Sequence, residues 1–205
     1  MKTRTKALLL ALSAVLLVVS TVFATMAYLT SQTGVVTNTF SVGNVHITLD
    51  EANVDIYGAA TSGRGTGNQY KLIPGHTYLK DPTIYVTAQS EACFVFVKVE
   101  NGIKAVVADT TETPGIETQI KNLGWTELPG VPNVYYQNID LATATTGTTL
   151  KVFDNFTLID DAVLTDANGN PMYTANTPVN ITGYAIQSDG FNGDAVAAWT
   201  AGNFH

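Results

Sequence analysis

The sequence predicts an all-β fold of antiparallel sheets, a sandwich or a barrel, with one or two short helices and an export segment in front. Three observations carry that prediction. Beyond Tyr28 the chain runs in short segments rich in Val, Ile, Thr, Tyr and Phe, the residue types that suit a pleated, half-buried surface. Gly, Pro, Asn and Asp punctuate these segments, which favours hairpins over the long crossovers of a βαβ fold. Helical spacing recurs in two places only.

The first element is the N-terminal run. Lys2, Arg4 and Lys6 precede 23 residues, Ala7 to Leu29, without a charge. A basic region, an apolar region and a small-residue exit at Thr25-Met26-Ala27 have the layout of a secretory signal peptide, 1–27, cut between Ala27 and Tyr28. About 20 apolar residues also suffice to span a bilayer, so a retained anchor is the alternative, and a cut after Ala24 a variant. Ser13, Ser20, Thr21 and Thr25 interrupt the run and favour cleavage.

Removing residues 1–27 leaves 178 residues and takes three of ten basic residues and none of the 17 acids, so the net charge moves from −7 to −10. That charge favours solubility and argues against nucleic acid or an anionic membrane as a ligand. The remaining length suits one domain with a sizeable core. Cys93 is the only cysteine, so no intramolecular disulfide forms. Its apolar neighbours in Ala92-Cys93-Phe94-Val95 read as a buried, inert thiol. An exported chain without disulfides fits a Gram-positive surface, where Asn155-Phe156-Thr157 and Asn180-Ile181-Thr182 are chance sequons.

Candidate strands are Val35–Val42, Val45–Leu49, Thr83–Ala88, Cys93–Glu100, Val134–Asn138, Leu150–Ile159 and Val179–Gln187. Cys93 to Val99 is apolar at nearly every position and predicts a central strand covered on both faces. Val45-His46-Ile47-Thr48-Leu49 alternates, which predicts one wet face carrying His46. Pro74-Gly75 signals a turn, and Asn168-Gly169 is suited to a type I′ hairpin turn. Asp166-Ala167-Asn168-Gly169-Asn170 has the opening spacing of a calcium loop, but Pro171 and Thr177 stand where that loop needs Gly and an acid.

Ile116, Ile120 and Leu123, after Pro114 and before Gly124, predict a short amphipathic helix over 115–123. Asp194 is placed to cap a second helix through Trp199. Residues 57–70 are Gly-rich without a phosphate-binding pattern and read as a flexible surface loop.

Material for catalysis is sparse. His46, His76 and His205 are isolated, and no His-Glu-x-x-His helix or Gly-x-Ser-x-Gly elbow occurs. Asp160-Asp161 at a strand end would point to opposite faces. No catalytic residue, metal ligand or cofactor is expected, and the chemistry reads as that of a structural or interaction module.

Certain motifs resemble a known family. Thr25-Met26-Ala27-Tyr28-Leu29-Thr30, then Thr39-Phe40-Ser41-Val42-Gly43-Asn44-Val45, is similar to the N-terminal block of the TasA/camelysin family of Gram-positive exported proteins. Leu72-Ile73-Pro74-Gly75-His76 through Lys80-Asp81-Pro82 resembles that family's Pro-Gly turn. Ile181 to Phe191 with Trp199 resembles its closing strand. Residues 101–175 carry little that matches.

The resemblance implies an antiparallel jelly-roll-like β-sandwich, export through a SipW-type signal peptidase, and, in the TasA branch, homo-oligomeric biofilm-matrix fibres, with other matrix or cell-wall components as further partners. It implies division into a signal peptide, an N-terminal segment 28–44 and a sandwich domain 45–205. In such fibres the freed segment of one subunit adds a strand to the next; here Val36, Phe40 and Val42 would share one face of it. That same stretch is otherwise the first strand of its own sandwich. The camelysin branch implies a surface metalloprotease, although no zinc signature is present, and a monomeric adhesin is the third expectation.

Overall fold

The computed structural model describes residues 6, 12–17, 44–174 and 177–204. The chain divides into two units, residues 1–41 and 42–205. In the first, residues 12–17 are helical and exposed. Among the described residues no helix is long and apolar enough to cross a membrane. The expected cut at Ala27–Tyr28 and the strand Val35–Val42, with Val36, Phe40 and Val42, lie outside the described residues.

The second unit is mostly β and wholly antiparallel in its named pairings. Its strands are β1 (Ile47–Val54), β2 (Ala60–Gly65), β3 (Thr77–Leu79), β4 (Thr83–Val86), β5 (Cys93–Asn101), β6 (Thr126–Glu127), β7 (Val134–Ile139), β8 (Thr148–Lys151), β9 (Asn155–Thr157) and β10 (Val179–Gln187). One sheet has the order β2-β1-β4-β8, a second β10-β5-β7-β6, and β3 pairs with β9. Short helices are α1 (Ile116–Asn122), α2 (Leu141–Thr146) and α3 (Ala195–Gly202).

The strand β5 explains the layering. Cys93, Val95, Val97 and Val99 face a core shared with Ile84 and Val86 of β4 and Leu150 of β8. Phe94 and Phe96 face the opposite way, against Ala198 and Trp199 of α3. An unbroken apolar run thus becomes a strand covered on both faces. Phe96 and Trp199 meet edge to face with centroids 5.2 Å apart, a preferred aromatic geometry. Asp194 caps α3 by accepting from the N–H groups of Val196 and Ala197, both at 3.0 Å, which meets the expectation for that helix.

Four expectations need correction. The strand expected at Val45–Leu49 begins only at Ile47, and β1 continues through Asp50-Glu51-Ala52-Asn53-Val54 because β2 pairs with it there. Residues 57–70 are not merely a surface loop, since they contain β2. Leu150–Ile159 is two strands: the chain bends at Val152-Phe153-Asp154, opposite Lys80-Asp81-Pro82 between β3 and β4. Pro82 has no N–H to give a ladder, and the bend closes through Val152 N–H to Pro82 O and Lys80 N–H to Asp154 O, at 2.9 and 3.2 Å. Asp160 and Asp161 consequently lie in a turn.

The fourth correction concerns Asn168-Gly169. Gly169 has φ +81° but Asn168 is not left-handed, so the turn is not type I′, which requires positive φ at both central residues. Gly169 N–H reaches Asp166 O at 2.9 Å. The Asp166 carboxylate accepts from the backbone of Asn168 and Asn170 and from the Asn170 side chain, at 2.8 to 3.0 Å. Those bonds hold its carboxyl below the usual carboxylate range. The acid closes a turn by accepting three hydrogen bonds from within it.

Candidate functional site

A groove of about 870 Å³ opens between β1 and the first half of β10. Leu49, Ile103, Phe156, Val179 and Ile181 give it an apolar floor, and Glu51, Asn68 and Lys80 a polar wall. Alternation places each group. On β1, Leu49 and Glu51 point to the same face, and on β10 Val179 and Ile181 do the same. The edge of β10 beside the groove carries no strand among the described residues, because β10 ends its sheet.

Glu51 is 4 % exposed and Lys80 8 %, and Lys80 Nζ lies 2.6 Å from Glu51 Oε2. Charges of this kind are withdrawn from water only when paired. Asn68 supplies the other partner, its Nδ2 donating to Glu51 Oε1 at 2.9 Å. Its amide also bridges the end of β1: Val54 N–H donates to Oδ1 at 3.0 Å, and Nδ2 donates to Ala52 O at 2.9 Å. Asn68 thereby bonds the backbone of β1 beyond Asp50, the last residue of β1 that pairs with β4.

Next to this wall, Tyr70 packs edge to face on Tyr78 and Phe156, with centroids 5.6 and 5.4 Å away. Burial, reinforced by the Glu51 charge, pushes the Tyr70 phenol above its ordinary value. Tyr70 Oη donates to Leu79 O at 2.9 Å. Tyr78 Oη donates to Lys71 O and accepts from Ile73 N–H, both at 2.7 Å. These phenols therefore anchor the backbone of 71–79.

On the outer side, Arg64 locks β2 onto the sheet. Its Nε and Nη1 reach Asp50 and Asp81 at 2.6 and 2.9 Å, and Nη2 reaches Thr83 Oγ1 at 3.0 Å. The two carboxylates hold its guanidinium above its ordinary value.

The residues weighed for chemistry fall elsewhere. Cys93 is fully buried, and burial pushes its thiol up to about 11, so it is not a nucleophile at neutral pH. His46 is exposed. His76 Nε2 contacts Tyr57 O at 2.8 Å, and its ring stands against Tyr78 with centroids 4.6 Å apart. Among the described residues no group of three His, Cys, Asp or Glu is placed to hold a metal ion.

Reasoning from sequence passed over Glu51, Asn68 and Lys80. They are spread over 29 residues and form no motif; the one local signal was Lys80 beside the Asp81-Pro82 break. Compared with known proteins, the chain matches no family model, no curated protein and no solved structure at a significant level.

Proposed function

We propose that this chain is an exported structural protein of a Gram-positive cell surface or biofilm matrix, whose subunits join by β-strand addition. The segment Tyr28–Val42 of one copy lies along the open edge of β10 in the next and places Val36, Phe40 and Val42 over the groove. The two-sheet arrangement is read as jelly-roll-like.

The observation that carries the reading is the edge of β10, which pairs with no strand among the described residues and has an apolar groove beneath it. An unpaired edge offers a row of backbone donors and acceptors, and alternate pockets supply selectivity. The nine residues of β10 need a partner of similar length, and the 15-residue segment provides one. The alternating Val36-x-x-x-Phe40-x-Val42 pattern presents one apolar face to the groove.

A second copy is a better donor than the chain's own segment. Asn44 O accepts from Glu91 N–H, and Ser188 N–H donates to Ala92 O, so the entry to β1 and the end of β10 share one connection. The chain's own segment, leading into Asn44, would run parallel to β10. A segment from another subunit is free to run antiparallel, the more stable orientation per residue.

Electron microscopy of protein beginning at Tyr28, beside a form lacking residues 28–42, tests the proposal. Fibres are expected from the first and not from the second. Fibres from both would refute strand addition by this segment, and an N-terminus at Met1 in exported protein would refute its release.

A further inference from the structure

The wall of the groove holds an arrangement that strand addition does not use: a buried amine and a side-chain amide on the two oxygens of one buried carboxylate. We propose that Lys80 and Asn68 become joined by an intramolecular isopeptide bond, with Glu51 carrying the protons. Nothing in this inference depends on fibre assembly.

Each group meets a requirement of the reaction. Lys80 Nζ is 2.6 Å from Glu51 Oε2, and Asn68 Nδ2 is 2.9 Å from Oε1, so nucleophile, base and leaving group share one carboxylate. Such placement replaces a bimolecular encounter by an intramolecular one. Asn68 Oδ1 accepts the Val54 N–H at 3.0 Å, a fixed donor at the oxygen where negative charge develops.

The step balances without any co-reactant. Lys80 Nζ gives a proton to Glu51 and attacks Asn68 Cγ; Oδ1 takes the charge, Glu51 hands that proton to Nδ2, and the freed carboxylate then takes a second proton from Nζ. The Cγ–Nδ2 bond breaks as the tetrahedral adduct collapses. Nδ2 takes both protons by way of Glu51 and leaves as an ammonium ion, while Nζ keeps one hydrogen as the new amide N–H. Glu51 returns to carboxylate, nothing is oxidised or reduced, and the chain becomes lighter by one ammonia. The link from Asn68 to Lys80 would pin the Gly-rich stretch after β2 to the end of β3 and close a loop in the unfolded chain, as a disulfide does.

Intact mass of the purified wild-type protein, with its N-terminus determined, is the primary test. A deficit of one ammonia, and a digest in which a peptide containing Lys80 is joined to one containing Asn68, are expected. Glu51→Gln and Lys80→Arg are expected to retain the full sequence mass. A folded wild-type chain at full mass, or separate unmodified peptides for Lys80 and Asn68, would overturn the proposal even if no variant folds. Loss of ammonia in Glu51→Gln would remove Glu51 from the reaction.

Discussion

Val99 donates its backbone N–H to the carbonyl of Asn133 at 2.9 Å, and this bond sets the phase of hydrogen bonding across the whole second sheet. In an antiparallel ladder a residue directs its N–H and C=O to the same side, and the side alternates along the strand. Val95, Val97 and Val99 therefore face β7, and Phe94, Phe96 and Lys98 face β10. Through the pairs Thr182↔Lys98 and Tyr184↔Phe96, β10 bonds to β5 with its even-numbered residues. Ile181, Gly183 and Ala185 direct their backbone groups to the open edge.

Ala185→Pro follows as a selective block. It removes an edge donor and leaves the β5 ladder intact, a position where a strand tolerates proline. Under the proposed assembly the variant is expected to stay folded by circular dichroism and to give no fibres by microscopy. Fibres of unchanged length from Ala185→Pro would rule out β10 as the acceptor.

Arg64 serves acceptors on three residues, Asp50, Asp81 and Thr83, from one planar fork, which a lysine ammonium does not reproduce. The group is about one-third exposed, so solvent screens much of the pairing. Both Arg64→Lys and Arg64→Ala are expected to lose about 1 kcal/mol in urea unfolding, with faster hydrogen exchange over 60–65. Wild-type stability in Arg64→Lys would show that the fork is immaterial.

Asp109 accepts from Gly115 N–H at 2.8 Å and from Thr118 Oγ1 at 3.2 Å, and the Gly115 bond is the main cause holding its carboxyl below the ordinary value. A carboxyl depressed in the folded state adds stability above the unfolded value, about 4, and loses it as pH falls through the folded one. Unfolding curves from pH 7 to pH 3 are expected to show wild type falling toward Asp109→Asn only below about pH 4. Parallel curves across that range would contradict the assignment.

Much of the fold was legible because it is local. The Val179–Gln187 strand was read with the bounds it has, since β-branched and aromatic residues lie between Pro178 and Ser188-Asp189. The Cys93 strand and the Asp194 cap were likewise written in adjacent residues. The Pro74-Gly75 turn was also correct: Gly75 has φ +72°, and His76 N–H returns to Ile73 O at 3.2 Å. By contrast, Ala60–Gly65 carries no strand signal, and it becomes β2 because Arg64, distant in sequence from Asp81 and Thr83, ties it to β1 and β4.

By itself the sequence determined the antiparallel β class, the covered central strand and the cap of α3, all of which rest on periodicity and neighbouring residues. Tertiary structure alone decided the bend at Val152–Asp154, the open edge of β10 over its groove, and the meeting of Glu51, Asn68 and Lys80. The reason is physical: these features depend on which strand lies opposite and on which polar groups lose water together. Neither is specified by any short stretch of chain.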